Sequence, residues 1–437
     1  MSNNIFLNPT VYTRGTLVNL GGFLNTAGLM NLDYADEFGM KAQKIGATFN
    51  VRKPQRFEGT ENSQYTPESL NNLSTPITVD QRSNVHFDWG SVEKTLSIDA
   101  ANDKYFKPAA MRIAHSINYK AARWVALNSF NIVGTPGVIP GSGTLTVPQL
   151  LGVYLGAKGK LVAQGLPEDE RLACIINIAM SNAFVGNVPA LFNPAGEGGA
   201  ISKQWKSGQV DPTNLGFIWK IDQACYVHTT GIIGTATGLV NGVNQQSDDG
   251  NNSSGTLITD TWQATSTEKL KIGDWFTIAG VYAVHPQYKT STGDLMQFRV
   301  NASGVDAAGA LTISFFPAIT PTGQYRNVDS VPADNAEILP CNGPTGNADL
   351  YALTVTPFGM VMAKDAFAFC PVKLEGPEDG MGAIVTQERD DDTKIWIRTT
   401  RSWDGNLEQE IFRLDTLFGF GNLYRELACL ICSGPNS

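Results

Sequence analysis

The side chains that ordinarily carry chemistry are few in this chain and badly placed for it. The four histidines, His86, His115, His228 and His285, stand far apart, and none lies within ligand spacing of another or of a cysteine. A zinc or iron site built on imidazole needs ligands at short, converging spacings, so none is expected. The six cysteines are scattered, too sparse for a disulfide framework. Cys429 and Cys432 share the apolar run ELACLIC, and a terminal strand with buried thiols is preferred there to redox or zinc chemistry. Asp390, Asp391 and Asp392 could meet a divalent cation, but they lie between the strand-like GAIVTQ and KIWIRTT, the usual place of an exposed acidic turn. Glu168, Asp169 and Glu170 follow Pro167 and precede RLACIINIAM, so they read as a turn opening an element rather than a catalytic pair. No GxSxG, Walker A or HExxH occurs, and the glycines of GSG (141–143), GMG (380–382) and GFG (419–421) do not complete GxGxxG. No catalytic, cofactor-binding or metal residue is expected, and the protein is read as a non-enzyme.

Composition agrees. Hydrophobic residues are 42% of the 437, enough for a folded protein of more than one domain. Only 17% are charged, below the roughly 25% usual for soluble domains, so much of the surface is uncharged or meets partners. With 32 basic against 41 acidic residues the net charge is -9, which excludes nucleic-acid binding by bulk electrostatics. No apolar run is long enough for a membrane helix, and the start MSNNIFLNPTVYTRGT has no secretory pattern, so synthesis in the cytosol is expected.

The elements follow from periodicity. Residues 1–40 are Asn- and Gly-rich with scattered apolar positions, an arm that packs on something else, with a short helix as the alternative. KIGATFNVRK and ITVDQRSNVHFDW alternate with period two, and the polar, proline-punctuated stretch between them is far longer than a hairpin turn. This predicts an extended two-stranded ribbon with an elaborate tip, unstable by itself and lying on a neighbour, with a solvated loop of a larger sheet as the alternative. Arg52, Lys53, Arg56, Glu58 and Glu61 are its candidate contact charges. Pro108–Phe130 has no internal breaker and predicts one long helix, its Ile and Trp stripe in the core and Arg112, Lys120 and Arg123 on another, basic face. Alternating helix and strand patterns fill 131–220. From 221 to 349 the chain turns Thr-, Gly-, Ser- and Asn-rich, with strand candidates GTLITDTWQAT, DWFTIAGVYAV, LMQFRVNA and ALTISFFPAI, as in a small barrel or sandwich inserted into a parent domain.

This order resembles the tailed-bacteriophage major capsid proteins of the Hong Kong ninety-seven type, and more closely the coat proteins of short-tailed Salmonella phages that carry an inserted β-barrel. The resemblance is local at EKLKIGDWFTIAGVYAV (268–284), MAKDAFAFCPVKL (362–374) and LDTLFGFGNLYRELACLI (414–431). It implies an α+β fold with an N-terminal arm at 1–40, an extended β-ribbon (E-loop) at 41–98, a spine helix and the first peripheral and axial parts at 99–220, the inserted domain at 221–349 and the remainder at 350–437. It further implies a self-assembling icosahedral shell of hexamers and pentamers around double-stranded DNA, held with weak contact only. Scaffolding protein and portal are implied assembly partners and a decoration protein a further one, with Asp248 and Asp249 on a loop between capsomers, assembly in the host cytoplasm and no membrane. A β-rich virion tail or surface-adhesion protein is the alternative, and size-exclusion chromatography separates the two.

Overall fold

The computed structural model describes residues 9–36, 45–59, 67, 68, 70, 73–90, 102–141, 147–167, 171–187, 214–233, 237–246, 253–340, 353–376, 383–406 and 409–434. The chain divides into two compact units. One comprises Met1–Arg52, Ser74–Ala122 and Phe367–Leu423, and the other Lys53–Leu73, Arg123–Ala366 and Tyr424–Ser437.

In the first unit the alternating run at 74–90 forms the 17-residue strand β2 (Ser74–Gly90), and β1 (Thr48–Arg52) pairs with it antiparallel. The sheet continues through β19 (Gln409–Asn422), β18 (Trp396–Asp404) and β17 (Ala383–Arg389), while β16 (Phe367–Val372) pairs with β19. Here the expectation of a two-stranded ribbon lying on a neighbour is corrected for its second strand. From Thr78 to Gly90, β2 is hydrogen-bonded along β19 of its own chain. Ile77 and Val79 are fully buried, as their shared parity predicts. Period two fixed the strand but could not tell a solitary ribbon from an inner strand of a sheet.

Helix α1 (Pro9–Phe23) takes the place of the expected irregular arm. Its buried positions Thr13, Thr16, Leu17 and Leu20 follow helical spacing, but half of them are threonines, which hides the stripe from a hydrophobicity count. The hydroxyls of Thr13 and Thr399 meet at 2.9 Å, docking α1 on the sheet. The long helix α2 (Lys107–Asn128) is where the sequence puts it, and Ile113, Ile117 and Ala121 are buried. Beneath its start, Phe87, Phe106 and Phe412 form a cluster with ring centroids 5.6–6.0 Å apart, a spacing at which aromatic pairs attract.

The second unit has two main sheets. One runs β3 (Asn131–Val133), β20 (Ala428–Cys432), β15 (Val355–Met362), β4 (Leu172–Ile176) and β5 (Phe217–Ile221), with β6 (Val227–Thr229) also on β15. Its inner strands β20, β15 and β4 are buried at nearly every position, as in a sheet covered on both faces, whereas the outer β5 alternates. Helices α3 (Val147–Ala163) and α4 (Ile178–Asn187) belong to the same layered core, where Tyr154, Leu161, Met180 and Phe184 pack with Trp219 and Ile431. The other sheet has the order β14 (Ile338–Pro340), β10 (Trp275–Val284), β11 (Ser291–Ala302), β13 (Leu311–Phe316), β8 (Gly255–Asp260) and β7 (Leu239–Val240). The short pair β9 (Glu268–Leu270) and β12 (Gly304–Val305) stands beside it in sequence. The four strand candidates named between 255 and 320 are β8, β10, β11 and β13. Helices and sheets together make the fold α+β, as expected.

Candidate functional site

The ribbon tip begins where β1 ends. Arg52 is exposed, while Lys53 is largely covered and its ammonium lies 5.2 Å from the Tyr424 ring centroid. Burial pushes the Lys53 pKa down to about 8, although the Glu426 carboxylate pulls the other way. Arg56 was expected to await a partner on another copy. It has one in its own chain, the buried Glu426, at 2.6 Å. Gln55 donates to Gln324 at 2.7 Å. Glu58 is exposed, and its backbone N–H, with that of Gly59, donates to Glu68 at 2.9 and 2.7 Å, closing the tip on itself. Those two N–H groups hold Glu68 below the usual carboxylate range. Glu61 lies outside the described residues, as do Asp248 and Asp249. Sequence pattern supplied no partner for Arg56, because Glu426 lies 370 positions away.

The basic face of α2 does not act as one surface. Arg112 and Arg123 are exposed, but Lys120 turns to the sheet, donating to the carbonyl of Arg82 at 2.7 Å and lying 5.4 Å from the Phe418 ring centroid. A lysine stem readily covers apolar surface while its head finds a polar group. Lys120 is thus a helix-to-sheet contact.

Sequence reasoning missed Asp415, a single acid inside the apolar run of β19. Its carboxylate is fully buried and receives Arg398 at 2.6 Å, Arg413 at 2.9 Å and Arg82 at 3.1 Å. Burial alone would raise its pKa, but the bonds from Arg398 and Arg413 and the charge of Arg82 outweigh it, so the group sits below its ordinary value.

Two polar links join the sheets of the second unit. Gln297 on β11 accepts from the Ile132 N–H at 2.9 Å and donates to the Ile132 carbonyl at 3.0 Å. His228 on β6 lies 2.6 Å from Asp274, which also accepts the N–H groups of Gly231 and Lys271 at 2.9 and 2.7 Å. These histidine and carboxylate side chains are buried and spent on structure.

A family model described as "P22 coat protein - gene protein 5" matches residues 43–426. The chain belongs to the P22 coat protein family. It is a phage major capsid protein, a constituent of the virion shell, as the runs at 268–284, 362–374 and 414–431 implied. Solved structures similar to this coat protein include the capsid of the cyanophage P-SCSP1u, at 12% identity over 94% of this chain and 87% of that one with a TM-score of 0.41. Mycobacterium phage Che8 is similar at 10% identity over 93% and 90% with a TM-score of 0.43. The CUS-3 coat protein I-domain is 33% identical over 25% of this chain and 99% of its own, with a TM-score of 0.18. Comparison with curated proteins finds no match.

Of the sequence features weighed for chemistry, Glu168, Asp169, Glu170, GMG at 380–382 and two residues of GSG lie outside the described residues, and three others have structural roles in this coat protein. Cys429 and Cys432 are buried in β20, as expected, and burial pushes the Cys429 thiol up to about 12, which removes the thiolate that redox or metal chemistry requires. Asp390 caps its own turn through Thr393, whose N–H donates to it at 3.0 Å. In GFG a Cβ on Gly419 would stand 2.3 Å from the Thr78 carbonyl oxygen and one on Gly421 2.5 Å from Ile77, so both glycines serve the close approach of β2 and β19. Among the described residues no cluster of three His, Cys, Asp or Glu could hold a metal ion, and no helix is long and apolar enough to cross a membrane.

Proposed function

We propose that this coat protein assembles itself into hexamers and pentamers of a closed icosahedral shell, in the cytoplasm of the bacterial host, with no catalytic step of its own. Scaffolding and portal proteins are its assembly partners, a decoration protein is a further one, and the enclosed DNA touches the shell weakly. The observation that carries this reading is the ribbon: two strands bear a tip whose described residues Lys53–Gly59 are held by charged and amide side chains. Many modest contacts suit a shell. Bonds of about 4 kcal/mol each are millimolar alone, yet a subunit held by several neighbours gains multiplicatively, and a misplaced subunit can still leave. The net charge of -9 fits a shell that does not grip its DNA.

In this reading Arg52 and Glu58, both exposed, are ribbon charges facing a neighbouring copy. Residues 221–349 act as the inserted domain, with Asp248 and Asp249 on the loop between capsomers. The arm 1–40, the ribbon 41–98, and the peripheral and axial parts at 99–220 and 350–437 complete the division.

Electron microscopy and size-exclusion chromatography of the overexpressed chain test it. Closed megadalton particles or capsomers are the expected result. A discrete monomer or trimer under all assembly conditions overturns it in favour of a tail or adhesion protein, and tight, salt-sensitive binding of empty shells to duplex DNA overturns the weak-contact part.

A further inference from the structure

The acidic balance of the whole chain conceals a local reversal. Residues 104–167 hold seven of the 32 basic residues and none of the 41 acidic ones, so this run carries +7 and the rest of the chain -16. Charge segregated in this way within one chain points to an anionic partner for the basic part. We propose that the exposed start of α2, with Lys104, Lys107, Arg112 and Tyr119, is the surface on which the shell touches the phosphate backbone of the enclosed duplex DNA. This rests on the shell reading above and gives its weak DNA contact a place.

Three observations support it. First, the face is built and left open. Ala110, Ala114, Ile117 and Ala121 are buried and anchor α2, while Arg112, His115 and Tyr119 recur at helical spacing on the exposed side. Lys107 is exposed as well, and so is Lys104 in the short π-helix Asn102–Phe106 that leads into α2. Second, the cations are uncompensated. Arg389, Arg398, Arg401 and Arg413 of the same unit each meet a carboxylate, whereas Lys104, Lys107 and Arg112 enter no ion pair among the described residues. α2 has no Asp or Glu at all, although a solvated basic face ordinarily gains from acids one turn away. Third, apart from Tyr119, which is 48% exposed, no large apolar residue of α2 is exposed, so the face lacks the apolar centre that a protein partner needs.

Lysine, arginine and tyrosine side chains meet phosphates without reading bases, which suits a shell that encloses DNA whatever its sequence. From Lys107 to Tyr119 the face runs about 18 Å at 1.5 Å per residue, the length of about five phosphates of one strand. Three cations neutralise about three phosphates, so each copy grips weakly and the contact is lost quickly as salt rises. The net charge of -9 excludes a bulk attraction but leaves this local one, and the acidic remainder of the chain limits adhesion elsewhere.

Fluorescence anisotropy of a labelled duplex of about 30 base pairs with the unassembled chain tests this. With about three phosphates neutralised, affinity is expected to fall about fortyfold between roughly 50 and 200 mM salt. The variant K104Q/K107Q/R112Q is expected to lose at least tenfold at the lower salt and to flatten that dependence. R171Q/K220Q/K271Q removes the same charge elsewhere and is expected to bind as the parent does. Equal losses in the two variants, or no salt-dependent binding by the parent, overturn the assignment.

A second measurement reads the assembled state. p-Benzoylphenylalanine placed at Tyr119 is irradiated in DNA-filled particles, and the same group at Tyr288, exposed between β10 and β11, is the comparison. Coat chains covalently joined to DNA from position 119 and not from position 288 support the proposal. Equal adducts with DNA from both positions, or none from 119, overturn it, and adducts from 119 to protein alone overturn it in favour of an acidic protein partner. If the wild type makes no particles at all, the failure is that of the shell reading, which microscopy shows separately, and the anisotropy measurement still decides the DNA contact.

Discussion

Gln297 reads the backbone of Ile132 as a paired strand would, its carboxamide accepting from the N–H and donating to the carbonyl of that single residue. A side chain on β11 thereby satisfies the polar groups of the edge strand β3, which faces β20 on its other side. Replacing Gln297 by Leu removes both of these bonds at once. Each buried hydrogen bond contributes roughly 0.5–1.5 kcal/mol, so Q297L is expected to lower the denaturant midpoint distinctly. Tryptophan fluorescence during urea unfolding checks this, and a midpoint equal to that of the parent would refute the role assigned to the amide.

Asp415 is the only carboxylate that meets Arg82, Arg398 and Arg413 in their described ion pairs. D415N would leave three guanidiniums without a counter-charge, and because Arg82 and Arg413 are partly exposed and screened by water the expected loss is about 1–3 kcal/mol. The pH dependence follows from the lowered pKa of Asp415. Its stabilisation is complete above the unfolded carboxylate value and is lost as pH falls through the lower folded one. Thermal unfolding between pH 6 and pH 2, compared with D415N, should show the parent losing its advantage only at the acid end.

Lys53 gives a slope of the same sign in a more alkaline window. Its folded pKa of about 8 lies below the ordinary 10.5, so the burial cost of its charge is fully present below about pH 8. As pH rises from there towards 10.5 the docked tip holds fewer protons than the free tip, and docking strengthens. A dye attached at F57C reports it: the docked signal is expected to grow between pH 7.5 and 9.5, and K53M is expected to flatten that rise. An equal rise in K53M would remove Lys53 as the cause.

Gly419 and Gly421 tolerate no side chain. A Cβ at Gly419 would meet backbone, the Thr78 carbonyl, at the register shift between Phe418 and Phe420. Overpacking of this kind costs about 1–3 kcal/mol. G419A is expected to move more chain into aggregates on expression at 37 °C, whereas G405A, with nothing within 4 Å of its Cβ, is expected to behave as the parent. Equal soluble yields for the two would contradict the assignment.

Much of this molecule was legible before any coordinates. Period two at Thr48–Arg52 and Ser74–Gly90, the breaker-free run of α2, and the strand-then-helix pattern of β4 and α4 are local signals, and local signals survive in a sequence. The helix α1 was only an alternative because threonines share its buried face with Leu17 and Leu20. The family was legible as well, since three runs in the correct order carry it.

Partnership was not legible. Arg56 with Glu426, Gln297 with Ile132, and Asp415 with Arg82 join positions that nothing in the linear pattern relates, and Lys120 looked like a surface charge until Arg82 and Phe418 were beside it. The sequence by itself determined most of the stretches that become strands and helices, because backbone preference is a property of neighbours along the chain. Only the tertiary structure decided that β2 is an inner strand of its own sheet and that the ribbon charges have a seat. Burial and pairing depend on which distant groups share a low-dielectric space, and that is set by the packing of the whole.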